Sequence, residues 1–218
     1  PACPPVPGLW MPEDTYLNRN DVLSMNKKRI DWIIDENVKH VILSARWDAM
    51  YQYVTSGGRS LMVIDTTASE VSRPVSILAL ERQLNKMVLE LVEHGITVWI
   101  LPQIPEIAEI DLARKFSLMN RFPSINGHLP NQSPSMDVYQ QHRSGSMRIF
   151  QSLESPGIHI IDPFASFYPG GLPFALYDSR AYYRDDRHLT RSGVERFMKP
   201  LITEIFRKVL DSRQAELN

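Results

Sequence analysis

The chain has 218 residues, 43% of them hydrophobic and 22% charged, enough apolar material for one sizeable core and a single domain. Its formal net charge of -1 provides no basic excess for nucleic acid and no acidic run for a solvating tail, and its apolar stretches are far short of a bilayer crossing. One cysteine, Cys3, excludes an internal disulfide and a thiol zinc site.

The N-terminal Pro1-Ala2-Cys3-Pro4-Pro5-Val6-Pro7-Gly8 has no initiator Met or signal peptide before it. It reads either as a processed end or as the inside of a larger protein whose first elements lie upstream. A helix follows, with Asn20 or Asp21 as its predicted N-cap and Val22, Met25, Ile30 and Ile33 turned inward. The apolar burst Val38 to Ala45 predicts a buried parallel strand. From about Pro74 to His94 a second helix carries Leu80, Leu84, Met87, Val88 and Leu91 at helical spacing, with Gly95 placed for a left-handed C-terminal cap. Ile96 to Leu101 is the second strand. Ile107 to Ser135, rich in Pro, Asn and Ser, reads as a long surface excursion that helps to shape a cleft. A helix from about Met136 to Glu154 leads to the third strand, Gly157 to Ile161. Ala165 to Arg180 is a second irregular stretch, and the last helix runs from about Arg191 to Ser212. Thr190 is its N-cap, with Ser192 and Glu195 as a capping-box alternative, and Pro200 should bend it.

Helices and strands alternate, which predicts an α/β fold with a parallel sheet. Ligands in such sheets sit at the carboxyl ends of the strands. Those ends are Ser44-Ala45-Arg46-Trp47, Pro102-Gln103-Ile104-Pro105 and Asp162-Pro163-Phe164.

The most informative run is Tyr182-Tyr183-Arg184-Asp185-Asp186-Arg187-His188-Leu189-Thr190-Arg191-Ser192-Gly193. Asp185, three residues before His188 on a predicted loop, can fold back onto one imidazole nitrogen and fix its tautomer. The other nitrogen is then free to take a proton from a nucleophile. The bland alternative is a loop histidine held by a local carboxylate with no substrate nearby. His40 and His159 read as core or edge residues, His94 as a helix-end cation, and His128 and His142 as solvated. A metal reading of Asp185, Asp186 and His188 has no second ligand cluster behind it, and no cofactor is called for. No serine stands on a tight strand-to-helix turn. Ser44 lacks a following glycine, Ser56, Ser60, Ser144 and Ser146 lack a preceding strand, and no Gly-x-Ser-x-Gly or Gly-Asp-Ser is present. Prolines surround Cys3, and nothing there would lower its pKa.

Three segments, "PACPPVPG", "VILSARW" and "YYRDDRHLTRSG", together resemble the SGNH (GDSL-like) hydrolases. More narrowly, they resemble the extracytoplasmic domain fused behind the membrane acyltransferase-3 domain of bacterial surface-polysaccharide O-acyltransferases. The resemblance implies a flavodoxin-like three-layer α/β sandwich, an O-acyltransferase (chiefly O-acetyl) activity, and a position on the periplasmic side of the inner membrane. His188 would be the general base and then acid, and Asp185 its orienting carboxylate. Ser44, Arg46 and Trp47 would border the oxyanion and substrate region, where the family's asparagine donor is replaced. The partners implied are an acyl donor, a glycan acceptor and an upstream membrane domain. A GDSL-type esterase and a non-catalytic glycan-binding module are the alternatives. The family's nucleophilic serine belongs to a first-strand block that precedes the Cys-Pro-Pro segment, so it is expected upstream of Pro1, and Cys3 is expected to be a free thiol. The three strands would be the third to fifth of a sheet ordered 2-1-3-4-5. That order predicts an unpaired edge beside Val41 to Leu43.

Overall fold

A helix starts where a side chain can take one of its first unpaired amides. Here that residue is Asn18, whose Oδ1 accepts from the Asp21 N–H at 2.9 Å, so the cap lies ahead of the expected Asn20 or Asp21. The computed structural model describes residues 4–12, 18–52, 55–56, 59–60, 62–107, 112–121, 132–153 and 155–216, without the side chains of 55–56, 59–60 and 211–216. Cys3, His128 and the hydroxyls of Ser56 and Ser60 lie outside that set.

In chain order the elements are α1 (Arg19–Asp35), β1 (His40–Ser44), a 3-10 turn (Asp48–Met50), β2 (Thr55–Ser56), β3 (Arg59–Ser60), α2 (Arg73–Glu93) and β4 (Thr97–Leu101). Then come α3 (Leu112–Arg121), α4 (Met136–Gln151), β5 (Ile158–Ile160), α5 (Phe164–Phe167), a 3-10 turn (Pro169–Gly171), α6 (Arg191–Gly193), a π-helical turn (Val194–Met198) and α7 (Lys199–Glu216). β1, β4 and β5 form a parallel sheet in that order, with Ile42 opposite Trp99 and Trp99 opposite His159. The class is α/β, as expected. β1 pairs with β4 alone among the described residues, so its outer edge at Val41 to Leu43 carries no strand. β2 and β3 make a separate antiparallel pair.

The chain divides into two compact units, residues 1–103 with 143–160, and residues 104–142 with 161–218. The first holds the sheet. Its core collects Leu80, Leu84 and Leu91 of α2, Val98 and Ile100 of β4, and Trp47, Tyr51 and Phe150. Gly95 ends α2 with φ +73°, the left-handed conformation a glycine adopts without a Cβ clash. Asn26 of α1, buried, donates to the Pro4 carbonyl at 2.7 Å and so ties the proline-rich segment to the helix. Asp65 is fully buried and accepts from Arg82 Nε (2.8 Å) and Nη2 (2.6 Å), Gln83 Nε2 (3.0 Å) and Thr67, joining the segment ahead of α2 to that helix.

The second unit has an aromatic core in which Phe167, Phe174, Tyr182, Tyr183 and Phe197 meet Tyr139 and Leu112. Two expectations change here. The long excursion contains α3, whose Leu112, Phe116 and Met119 pack into this core at helical spacing. The last helix is not merely bent at Pro200. Pro200 has no N–H for the Arg196 carbonyl, and the preceding residues take π-helical bonding, with Lys199 N–H reaching Val194 O.

Candidate active site

The loop from Arg184 to His188 is closed at its base by a bridge between Tyr183 and Leu189 and by the Arg184 N–H on the His188 carbonyl at 2.7 Å. A loop this short leaves the first carboxylate inside it facing the amides that follow. Asp185 Oδ1 accepts from the Arg187 N–H (3.1 Å) and the His188 N–H (2.8 Å). His188 Nδ1 lies 2.9 Å from each Asp185 oxygen. An ionised carboxylate only accepts, so Nδ1 carries a proton, and in the neutral ring Nε2 carries the lone pair. Burial works against the Asp185 charge. The bonds from His188 and the Arg187 amide outweigh it and hold the carboxyl at about 2. The imidazole side chain is 59% exposed and Asp185 23%. Nε2 has no partner among the described residues.

Several side chains hold the loop from outside. Asp186 pairs with Arg187 through two bonds, at 2.9 and 3.0 Å, so it is not a second ligand turned toward His188. The Ile107 N–H donates to the Asp186 carbonyl (2.8 Å), and the buried Tyr183 hydroxyl donates to the Pro105 carbonyl (2.7 Å). Both contacts fall in the segment that follows β4. Behind the histidine, Thr190 caps α6 by accepting from the Gly193 N–H (3.1 Å) and donates to the Ala181 carbonyl (2.7 Å). Glu195 instead pairs with Arg191 (3.0 Å), so the single-residue cap is the one realised. A Cβ on Gly193 would meet the Tyr182 carbonyl oxygen at 2.1 Å. The Leu-Thr-x-x-Gly that follows His188 is thus a packing device, setting the helix start against the Tyr182 backbone.

The expected oxyanion residues lie in the first unit. Ser44 is exposed at the end of β1, and Arg46 is half-buried. Trp47 is fully buried, with its indole N–H on the Leu101 carbonyl (2.9 Å) and its ring edge-on to Phe150, so that donor serves the core. Beside it lies a cluster with no local signature in the sequence. Asp48 Oδ1 accepts from the Tyr51 hydroxyl and from Ser146 Oγ (2.7 Å), while the Ser146 N–H donates to the Tyr51 hydroxyl (2.9 Å). Burial, reinforced by the Asp48 charge, pushes the Tyr51 phenol far up. The three are buried and fix the turn after β1 to α4. Two hollows, one along α1 and one between α1 and α2, are lined by neither Asp185 nor His188. Among the described residues no group of three or more His, Cys, Asp and Glu is arranged to hold a metal ion.

The family model for the SGNH domain (fused to AT3 domains) matches residues 1–203. Among solved structures, the periplasmic domain of a lipopolysaccharide acetyltransferase from Salmonella ser. Paratyphi A aligns with a TM-score of 0.56. The two are 16% identical over 95% of this chain and 69% of that one, a likeness of fold. No curated protein gives a significant match. The family match runs through both units, from the proline-rich segment past the Asp185–His188 loop, and the chain belongs to the family of SGNH domains fused to AT3 domains.

Proposed function

We propose that this chain is the acyl-transfer module of an O-acyltransferase, passing an acyl group, chiefly acetyl, to a hydroxyl of a cell-surface glycan, with His188 as base and Asp185 as its orienting carboxylate. The observation that carries this reading is the pair of 2.9 Å contacts from His188 Nδ1 to the Asp185 carboxylate, which leave Nε2 basic and solvent-facing. The family and the acetyltransferase fold neighbour supply the reaction class.

In this reading a hydroxyl nucleophile is brought to Nε2 and gives up its proton as it attacks the acyl carbonyl. Asp185 stabilises the imidazolium that forms. The imidazolium then protonates the leaving group, leaving an acyl-enzyme. An acceptor sugar hydroxyl next loses its proton to Nε2 and attacks the acyl carbon; the bond to the nucleophile breaks, and the imidazolium returns the proton to the nucleophile's oxygen. No described residue presents a hydroxyl to Nε2. The acyl donor would come by way of the membrane acyltransferase domain to which the family is fused, and the reaction would take place on the extracytoplasmic face.

The test is glycan O-acylation by the natural protein in cells carrying Asp185→Asn or His188→Ala. Loss of the orienting carboxylate typically costs triad enzymes about ten-thousandfold in turnover. Both variants should abolish acylation while accumulating to the normal level. Near-normal acylation by Asp185→Asn would remove the pair from the mechanism. Acyl release to water with no glycan product would replace transfer by the esterase reading.

A further inference from the structure

The His188 side chain is 59% exposed, so its own packing does not hold the ring in place. The ring goes where the hairpin from Tyr183 to Leu189 goes. Bonds inside that hairpin run from the Arg184 N–H to the His188 carbonyl (2.7 Å) and from the Arg187 and His188 amides to Asp185 (3.1 and 2.8 Å). They fix how Asp185 meets the imidazole. None of them fixes where the hairpin stands.

Its place depends on three consecutive residues of the same compact unit, Pro105-Glu106-Ile107, each of which addresses a different residue of the hairpin. At the base, the Tyr183 hydroxyl donates to the Pro105 carbonyl at 2.7 Å. Burial above all, then the phenols of Tyr139 and Tyr168 and the Glu106 charge, push the Tyr183 phenol well above its ordinary value, so the hydroxyl keeps the proton it donates. At the tip, the Ile107 N–H donates to the Asp186 carbonyl at 2.8 Å. Between these two bonds lies Glu106. The Arg187 guanidinium is held above its usual range first by its two bonds to Asp186 (2.9 and 3.0 Å) and then by the Glu106 and Asp185 charges. Bonds at both ends of a short hairpin fix its tilt as well as its place, which one bond does not.

We infer that Pro105-Glu106-Ile107 is a clasp that holds the hairpin at the tilt from which His188 reaches its substrate, and that Tyr183, through its hydroxyl, is a positioning residue for the transfer. This role rests on the reading of His188 as the base. A proton passes only between atoms brought to hydrogen-bond distance, and a misplacement of about 1 Å costs on the order of a hundredfold in rate. The Tyr183 ring is fully buried and stacks on Phe174. Phenylalanine would give that core the same ring with no polar group to satisfy. The hydroxyl is the part that reaches the clasp.

Tyr183→Phe keeps the ring and removes the one bond. In the natural protein it should lower glycan O-acylation per molecule about ten- to a hundredfold while the protein accumulates normally. In the 218-residue chain, NMR relaxation dispersion of the labelled histidine rings should show the His188 ring exchanging between positions on the microsecond-to-millisecond scale. That exchange should be absent from the unaltered chain, and the proton should stay on Nδ1 in both. Glu106→Gln leaves Tyr183 in place and should lower acylation per molecule about two- to fivefold. Unchanged acylation per molecule in Tyr183→Phe would overturn the inference, as would a His188 ring equally still with and without the hydroxyl. Where Tyr183→Phe does not accumulate, unchanged acylation by Glu106→Gln overturns it instead. These results leave His188 standing as the base, whereas acylation that survives His188→Ala removes the base and the clasp's role together.

Discussion

Asp185 and Asp65 are both carboxylates held at about 2, yet they serve different ends. Around Asp65 burial opposes the charge, and the bonds from Gln83, Thr67 and Arg82 overcome it. The bonds are all internal and none reaches a site, so this group stabilises the fold. Its folded pKa is depressed, so its contribution is complete above the unfolded carboxylate value of about 3.9 and fades as pH falls toward 2. Asp65→Asn should therefore lower stability at neutral pH by about 2 kcal/mol and flatten the loss of stability in acid, as read by urea unfolding across that range. An unchanged acid profile would show that the bonds to Asp65 contribute no more in the folded state than water does. Asp185 spends the same kind of depression on an exposed imidazole and stays ionised at neutral pH. At this scale the contact between Asp185 and His188 was legible, because the two are three residues apart and the geometry is local. The Asp48–Tyr51–Ser146 cluster was not, because its serine is far away in sequence and only packing brings it to the other two.

Among the elements, the start of the last helix and the edge of the sheet matter most. A methyl group at Gly193 would overlap the Tyr182 carbonyl oxygen, and that backbone belongs to the hairpin carrying Asp185 and His188. Gly193→Ala should cost about 1–3 kcal/mol in thermal or urea unfolding and displace the loop, lowering acylation more than protein level. Ala tolerated without change in either would mean that the close approach is not needed. In the first unit, β1 presents an edge with no strand beside it among the described residues, and Ile42 is 42% exposed. Such edges promote strand addition between molecules, and an inward charge blunts them. Ile42→Lys should reduce concentration-dependent self-association of the 218-residue chain in analytical ultracentrifugation; an unaltered sedimentation profile would mean that the edge is already covered. Strands were readable as apolar bursts, and α2 as a periodic helix ended by Gly95. The starts of elements were less so, since Asn18, Asn20 and Asp21 are all capable caps and only the bond to the Asp21 amide selects Asn18. Leu112, Phe116 and Met119 carried a helical period that the prolines and polar residues around them obscured. Pro200 announced a disturbance, though not its π-helical form.

For the molecule as a whole, the α/β class, the parallel sheet and the loop bearing the histidine all followed from local pattern, whereas the division into two compact units did not. That division depends on which helices share a core, and the aromatic cluster of the second unit is assembled from segments scattered between Ile107 and Phe197. The central claim is that Asp185 holds the proton on His188 Nδ1 and so leaves Nε2 as the base. Nitrogen-15 NMR of the histidine-labelled 218-residue chain near neutral pH reads this directly. The neutral imidazole of His188 should show a protonated Nδ1 and an unprotonated Nε2, and Asp185→Asn should erase that preference. A neutral ring protonated at Nε2 in the unaltered chain would contradict the account.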